Sequence, residues 1–238
     1  MKYVLESCLS GRIEDETPKG HSTCTMLHEY GGSSFIPFDG GVVFSEFKDQ
    51  HLYLTIPDNE IGNKEIMRIT GGKDGKDGKA SAGGEDNPFR YADGIIDYSR
   101  AVKSHLGSWK QAAYYCVRED HSMSQADPSQ ASQVVNEIVA VNLSTGKTRV
   151  VAKGKDFYFN PRLSPDGQWL AYVCYNHPNM PWDQTELHVA KLDKKSGEVR
   201  PLPLPPARVP SAFQLTQATV HRMTMCMLSH GRFFSPRS

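Results

Sequence analysis

Short apolar runs separated by turn residues organise this chain, and no long amphipathic stripe of helical period interrupts them. Two such runs, Gln168 to Tyr175 and Glu186 to Leu192, have the length and residue types of strands. Ser164-Pro165-Asp166-Gly167 precedes the first. Pro165 fixes φ, Asp166 offers a side-chain acceptor and Gly167 tolerates positive φ, which together predict a tight hairpin turn. A polar loop, His177 to Asp183, joins the two runs.

The pattern recurs upstream. Ser33 to Phe38, a turn at Asp39-Gly40-Gly41 and Val42 to Phe47 read as a hairpin. Leu52, Leu54 and Ile56 then alternate with His51, Tyr53 and Thr55, the period of two that sets one face of a strand on a core. Pro57 ends that strand and Lys64 to Thr70 gives another. A second group starts at Tyr91 to Asp97 and, after a polar insertion from Tyr98 to Lys110, continues through Ala112 to Arg118, closing at Glu119-Asp120-His121. It resumes beyond a polar loop, Ser122 to Gln133, as Val134 to Leu143, a turn at Ser144 to Lys147, and Thr148 to Ala152. Repeated sets of short antiparallel strands predict an all-β fold, an incomplete β-propeller of about three four-stranded blades within residues 1–200.

Two stretches fall outside that pattern. Gly71 to Pro88 is glycine, lysine and aspartate without an apolar anchor, and is expected to be a loop. Residues 201–238 cluster prolines and contain no acidic residue, so they are expected to form a disordered or foreign tail, such as an alternative exon or a shifted reading frame.

Composition narrows the partners. Apolar residues make up 38% of the chain, enough for a real core. Lysine plus arginine (27) equals aspartate plus glutamate (27), so no net field draws it to nucleic acid or an anionic membrane, and neither partner is expected. Twenty glycines and 15 prolines favour turns over long helices. Cys8, Cys24, Cys116, Cys174 and Cys226 are an odd set without a CxxC pair, which reads as reduced thiols. With no apolar run of about eighteen residues and no secretory core after Met1-Lys2, the expected location is the cytoplasm. The sequon Asn142-Leu143-Ser144 is then incidental.

Several short motifs fail on their mechanics. Asp74, Lys76 and Gly78 do not supply the alternating oxygens of a calcium loop. Gly146-Lys147-Thr148 lacks the earlier glycine of a phosphate loop, where Val141 stands, and joins strand to strand. His28-Glu29 has Gly32 where a zinc protease needs its second histidine, and His21, Cys24 and His28 lie on loop and strand signals without a fourth ligand. No metal and no cofactor are expected. Cys116 and Cys174 sit in apolar strands and read as buried small hydrophobes.

HEYGG at His28 to Gly32, RYADGIID at Arg90 to Asp97, CVREDHS at Cys116 to Ser122, and NPRLSPDGQWLAYV followed by HPNMPWDQTEL through Leu187 carry a family resemblance. The chain resembles the N-terminal β-propeller of the prolyl oligopeptidase family of serine peptidases, in its acylaminoacyl-peptidase-like or dipeptidyl-aminopeptidase-like branch, over about His21 to Leu192. Members of that family carry their serine in a GxSxG elbow of a C-terminal α/β-hydrolase domain. Gly31-Gly32-Ser33-Ser34-Phe35 lacks the closing glycine, so the resemblance implies a chain truncated before the catalytic domain, with no catalytic residue and no hydrolysis of its own.

In such a peptidase the propeller gates the cleft for peptides. Arg118, Glu119, Asp120 and His121, with His177, Asn179, Trp182 and Asp183, are the loop residues expected to face the substrate. Acidic groups there suit a free peptide amine and Arg118 a carboxylate or carbonyl. The competing structural roles are turn-capping by the Asp and His residues and packing of Trp182 against a neighbouring blade. Two other functions stay open: a free-standing propeller-like module that binds protein or peptide, and an intact enzyme with a site of unfamiliar spacing. Three blades in an open arc would also leave apolar edges for self-association.

Overall fold

The computed structural model describes residues 4–6, 13–15, 17–29, 31–57, 64–71, 87–103 and 109–200. The tail 201–238 and all but the two ends of the expected 71–88 loop lie outside the described residues. A short hairpin of β1 (Val4–Glu6) and β2 (Ile13–Asp15) comes first. The first blade then follows in simple up-and-down order: β3 (Phe35–Phe38), β4 (Gly41–Ser45), β5 (Leu52–Pro57) and β6 (Lys64–Arg68).

The second blade orders β7 (Phe89–Asp97), β10 (Ala113–Asp120), β11 (Val135–Asn142) and β12 (Thr148–Lys153). Its Tyr98–Lys110 insertion contains a two-stranded hairpin, β8 (Val102–Lys103) with β9 (Trp109–Lys110). Blade three consists of β13 (Phe157–Leu163), β14 (Trp169–Tyr175) and β15 (Glu186–Lys191), and a single bridge between Leu192 and Val199 starts a fourth position. The first strands of the blades, β3, β7 and β13, lie against one another in that order. An all-β arc of about three antiparallel blades is thus the observed architecture, as the strand pattern predicts.

Two local readings need correction. Ser122 to Gln133, expected as a polar loop, forms a short helix, α1 (Ser122–Ala126), and a 3₁₀ turn (Pro128–Gln133) in which Asp127 caps the Ser129 amide. Its small polar residues have no apolar periodicity, so only the Asp-Pro start signalled a helical turn. Ile56, expected on the core face with Leu52 and Leu54, is 39% exposed, because β5 leaves the core before Pro57.

Blade two is apolar without interruption for a simple reason. Tyr114 and Cys116 on β10 and Val139 and Val141 on β11 pack towards the first blade, with Phe38, Val43, Leu52 and Leu54. Tyr115, Val117, Ile138 and Ala140 alternate with them and pack towards the third, with Tyr158, Leu170, Cys174 and Leu192. A strand buried on both faces needs apolar residues at every position. Each fully buried side chain of this size contributes about 1.5–3 kcal/mol, so the two interblade cores hold the arc together. On blade three the opposite face is open: Trp169 pairs with Lys191, Ala171 with Val189 and Val173 with Leu187, and Val189 is 51% exposed.

Turn chemistry works as the sequence implies. Asp166 accepts from the Gln168 amide and the Ser164 hydroxyl, and Gly167 takes φ +66°. Arg100 from the insertion donates to the Gly167 carbonyl at 2.7 Å and the Asp193 carbonyl at 2.8 Å, while pairing with Asp97. One guanidinium therefore ties blade two to two turns of blade three.

The ADG of the second blade has its own cause. Pairing of β7 with β10 shifts register between Tyr115 and Val117, and at this bulge Asp93 takes φ +58°. A Cβ on the next residue, Gly94, would stand 1.8 Å from the Tyr114 ring, which is fully buried. Gly94→Ala is therefore expected to destabilise the protein by about 1–3 kcal/mol through overpacking. A urea midpoint equal to that of the parent would contradict this packing.

Candidate functional site

Polar side chains converge where β10 ends and β13 begins, and the stretch before β3 brings them there. Leu27 inserts its side chain into the core between blades two and three. His28 and Glu29 then take φ of +53° and +63°, and Gly31 +88°, a left-handed turn closed by the Gly31 amide on the Leu27 carbonyl at 2.8 Å. Such backbone is costly for non-glycine residues unless contacts hold it. Here they do. Gly32 fits against Ala92 and Asp93, where a Cβ would approach to 3.0 Å. Asp93 Oδ1 accepts from the Ser33 amide, and the Asp93 amide donates to the Ser33 carbonyl, each at 2.8 Å.

Glu119 sits at the centre of this end and is buried. Its Oε1 accepts from the His28 amide at 3.0 Å, and His121 Nε2 lies 3.0 Å from Oε2. His28 Nε2 is 3.2 Å from Asn136 Oδ1 and 3.7 Å from Glu119. Arg90 Nη1 donates to Glu29 Oε1 at 2.5 Å and to the Met26 carbonyl at 2.9 Å, and stands 4.0 Å from Glu119. Two carboxylates thus stand against one guanidinium. The Glu29 side chain is 77% exposed, whereas Glu119 is buried.

The second loop group joins through aromatic rings. His28 stands edge-on to Phe157 at 5.4 Å, and Phe157 meets His177 edge-on at 5.0 Å and stacks on Tyr175 at 4.6 Å. The His177 amide donates to Asp156 at 2.8 Å, and the His177–Pro178 peptide is cis. Asn179 closes a turn with its amide on the Asn176 carbonyl, and Asp183 accepts from the Met180 amide at 2.9 Å. Trp182 stands 61% exposed beyond them rather than packed in a core.

Of the eight expected residues, Glu119, His121 and His177 are linked through His28 and Phe157. Asp120 braces the turn into α1, accepting from the Ser122 amide at 2.9 Å and hydroxyl at 2.5 Å. Arg118 faces away. It donates to Glu137 at 2.5 Å and 3.2 Å and lies over the Phe89 ring at 4.6 Å. Burial opposes its charge, but the Glu137 carboxylate outweighs burial and raises the guanidinium above the ordinary arginine range. Sequence reasoning missed Glu29, Arg90, Asn136 and Phe157. Glu29 and Arg90 lay inside the quoted motifs, and strand ends that approach only after folding gave no local signal for the other two.

A second group lies on β14 and β15 of blade three, one residue along from the Phe157–Tyr175 pair. Cys174, Glu186 and His188 bring a thiol, a carboxylate and an imidazole within 4.8 Å of one another. Burial pushes the Cys174 thiol up to about 11, whereas hydrogen bonds from His188 and Lys155 hold the Glu186 carboxyl below its usual range.

No protein-family model matches the chain, and no curated protein does. Solved structures do. A puromycin-hydrolysing peptidase of Mycobacterium tuberculosis matches 81% of this chain at 29% identity with a TM-score of 0.56. Two structures of a puromycin hydrolase, one of a mutant complexed with PGG, match 79% and 80% at 25% identity with TM-scores of 0.59 and 0.58. The chain spans only 26–27% of the length of those peptidases. By fold the chain is a propeller segment, and it is similar to part of those peptidases. Within that class, the chain resembles the propeller of the prolyl oligopeptidase family.

Removing the Glu119 carboxylate strands the His28 amide and His121 in a buried setting. Glu119→Ala is expected to cost about 2–3 kcal/mol, read from urea unfolding, with Asp120→Ala closer to neutral. Equal small effects of both would contradict the central place of Glu119.

Proposed function

We propose that this chain is the non-catalytic, substrate-gating propeller portion of a prolyl-oligopeptidase-type serine peptidase, acting on peptides in the cytoplasm. One observation supports this above the rest: 25–29% identity to puromycin-hydrolysing peptidases across about four fifths of the chain. The sequence contains no GxSxG elbow, and the chain has no peptidase activity by itself in this reading. Among the described residues no helix is long and apolar enough to cross a membrane.

The gating surface is the end that carries Glu29, Glu119, His121, His177, Asn179, Trp182 and Asp183. The exposed Glu29 carboxylate there suits the ammonium of a peptide amino terminus, and the exposed Trp182 indole suits an apolar side chain behind it. Arg118 is committed to Glu137, so its part is to hold β10 against β11. Self-association would use the open face of blade three, with Trp169, Leu187 and Val189.

Calorimetric titration with tripeptides carrying a free or an acetylated amino terminus tests the reading. The free amine is expected to bind tighter, Glu29→Gln to erase that preference, and Trp182→Phe to weaken binding about tenfold. No saturable change with either peptide would sink the proposal. Binding only of long, folded partners would turn the assignment to an interaction module.

A further inference from the structure

We propose that Cys174, Glu186 and His188 form a binding site for one divalent transition-metal ion of zinc type on blade three. The three side chains come from adjacent strands and share one sheet face. Cys174 and Glu186 are direct cross-strand partners of β14 and β15, and His188, two residues beyond Glu186, pairs with Tyr172 on the same face. Their ligand atoms lie within 4.8 Å of one another. In a tetrahedral site with bonds of about 2.0–2.3 Å the ligands stand about 3.5 Å apart, so side-chain rotation of about 1 Å closes the set.

The donor chemistry fits a borderline metal. One thiolate, one imidazole and one carboxylate make a mixed soft and hard set, with a fourth position left for water. Hard cations such as calcium or magnesium demand more oxygens than the cluster offers.

Local order already favours the geometry. His188 Nε2 meets Glu186 Oε2 at 2.7 Å, so a metal would take the place of the proton shared by those two atoms. The His188 ring stacks on Tyr172 at 5.4 Å, which fixes its plane. Cys174 is fully buried beneath, while Glu186 and His188 are 44% and 39% exposed above it. The thiol thus lies beneath two ligands that themselves reach solvent. Lys155 Nζ sits on Glu186 Oε1 at 2.9 Å, on the carboxylate oxygen that faces away from His188. Its four-carbon stem is half-buried, and its ammonium can keep that oxygen or release it when the ion binds.

Cobalt(II) is the probe, added to the metal-free, reduced 238-residue chain, because a thiolate ligand gives it a near-ultraviolet charge-transfer band and tetrahedral geometry an intense visible one. The expected result is one cobalt per chain, displaced by one zinc, with the charge-transfer band lost in Cys174→Ser. His188→Gln and Glu186→Gln alter exposed groups, keep the fold, and are expected to weaken binding about tenfold or more. A band that persists in Cys174→Ser, affinity unchanged in folded His188→Gln and Glu186→Gln, or no stoichiometric cobalt uptake would each overturn the site.

Discussion

A buried carboxylate must be met by hydrogen-bond donors, and the arrangement of this chain turns on how Glu119 is met. Its neighbours come from three places in the sequence. The His28 amide arrives on the segment before blade one, His121 follows on the same strand, and Arg90 stands near on β7. Satisfying Glu119 therefore fixes the left-handed turn at His28 and Glu29, and that turn seats Leu27 between blades two and three. The polar network and the apolar plug are two ends of one short segment. Its other anchor is the Asp93 bulge, where Ser33 is held by both amide and carbonyl.

Blade two gains from both sides of this arrangement. Its strands are apolar at consecutive positions because each face of the sheet meets another blade. Arg100 adds a polar tie from the insertion to the turns of blade three. The same geometry gathers chemistry at one end: strand ends from two blades, a left-handed turn that leaves Glu29 exposed, and an aromatic path from His28 through Phe157 to His177. A rigid scaffold with polar groups on its connecting loops is how many binding sites are built.

Much of the fold was legible in the sequence, since strands announce themselves locally. The alternation of Leu52 and Leu54, the SPDG turn and the unbroken AYYCV run each have a short-range cause. Ser122 to Gln133 was misread because polar residues with no period hide a capped helical turn. The site was legible in part. CVREDHS and the His177–Asp183 loop could be picked out by residue type, but which side chain faces which blade depends on the alternation along β10, so Arg118 and Glu119 go opposite ways. Asn136, Phe157 and the pairing of Cys174 with Glu186 were invisible to sequence reading, because only the strand register brings those residues to their partners.

Amide hydrogen exchange across residues 27–34 tests most directly whether this segment is clamped to blades two and three. If Glu119 and Asp93 hold it, the His28 and Ser33 amides exchange slowly, with protection that follows the core strand β10, because opening them requires opening the blades. Exchange of those amides on the fast timescale of an ordinary surface loop, with β10 still protected, would contradict the account.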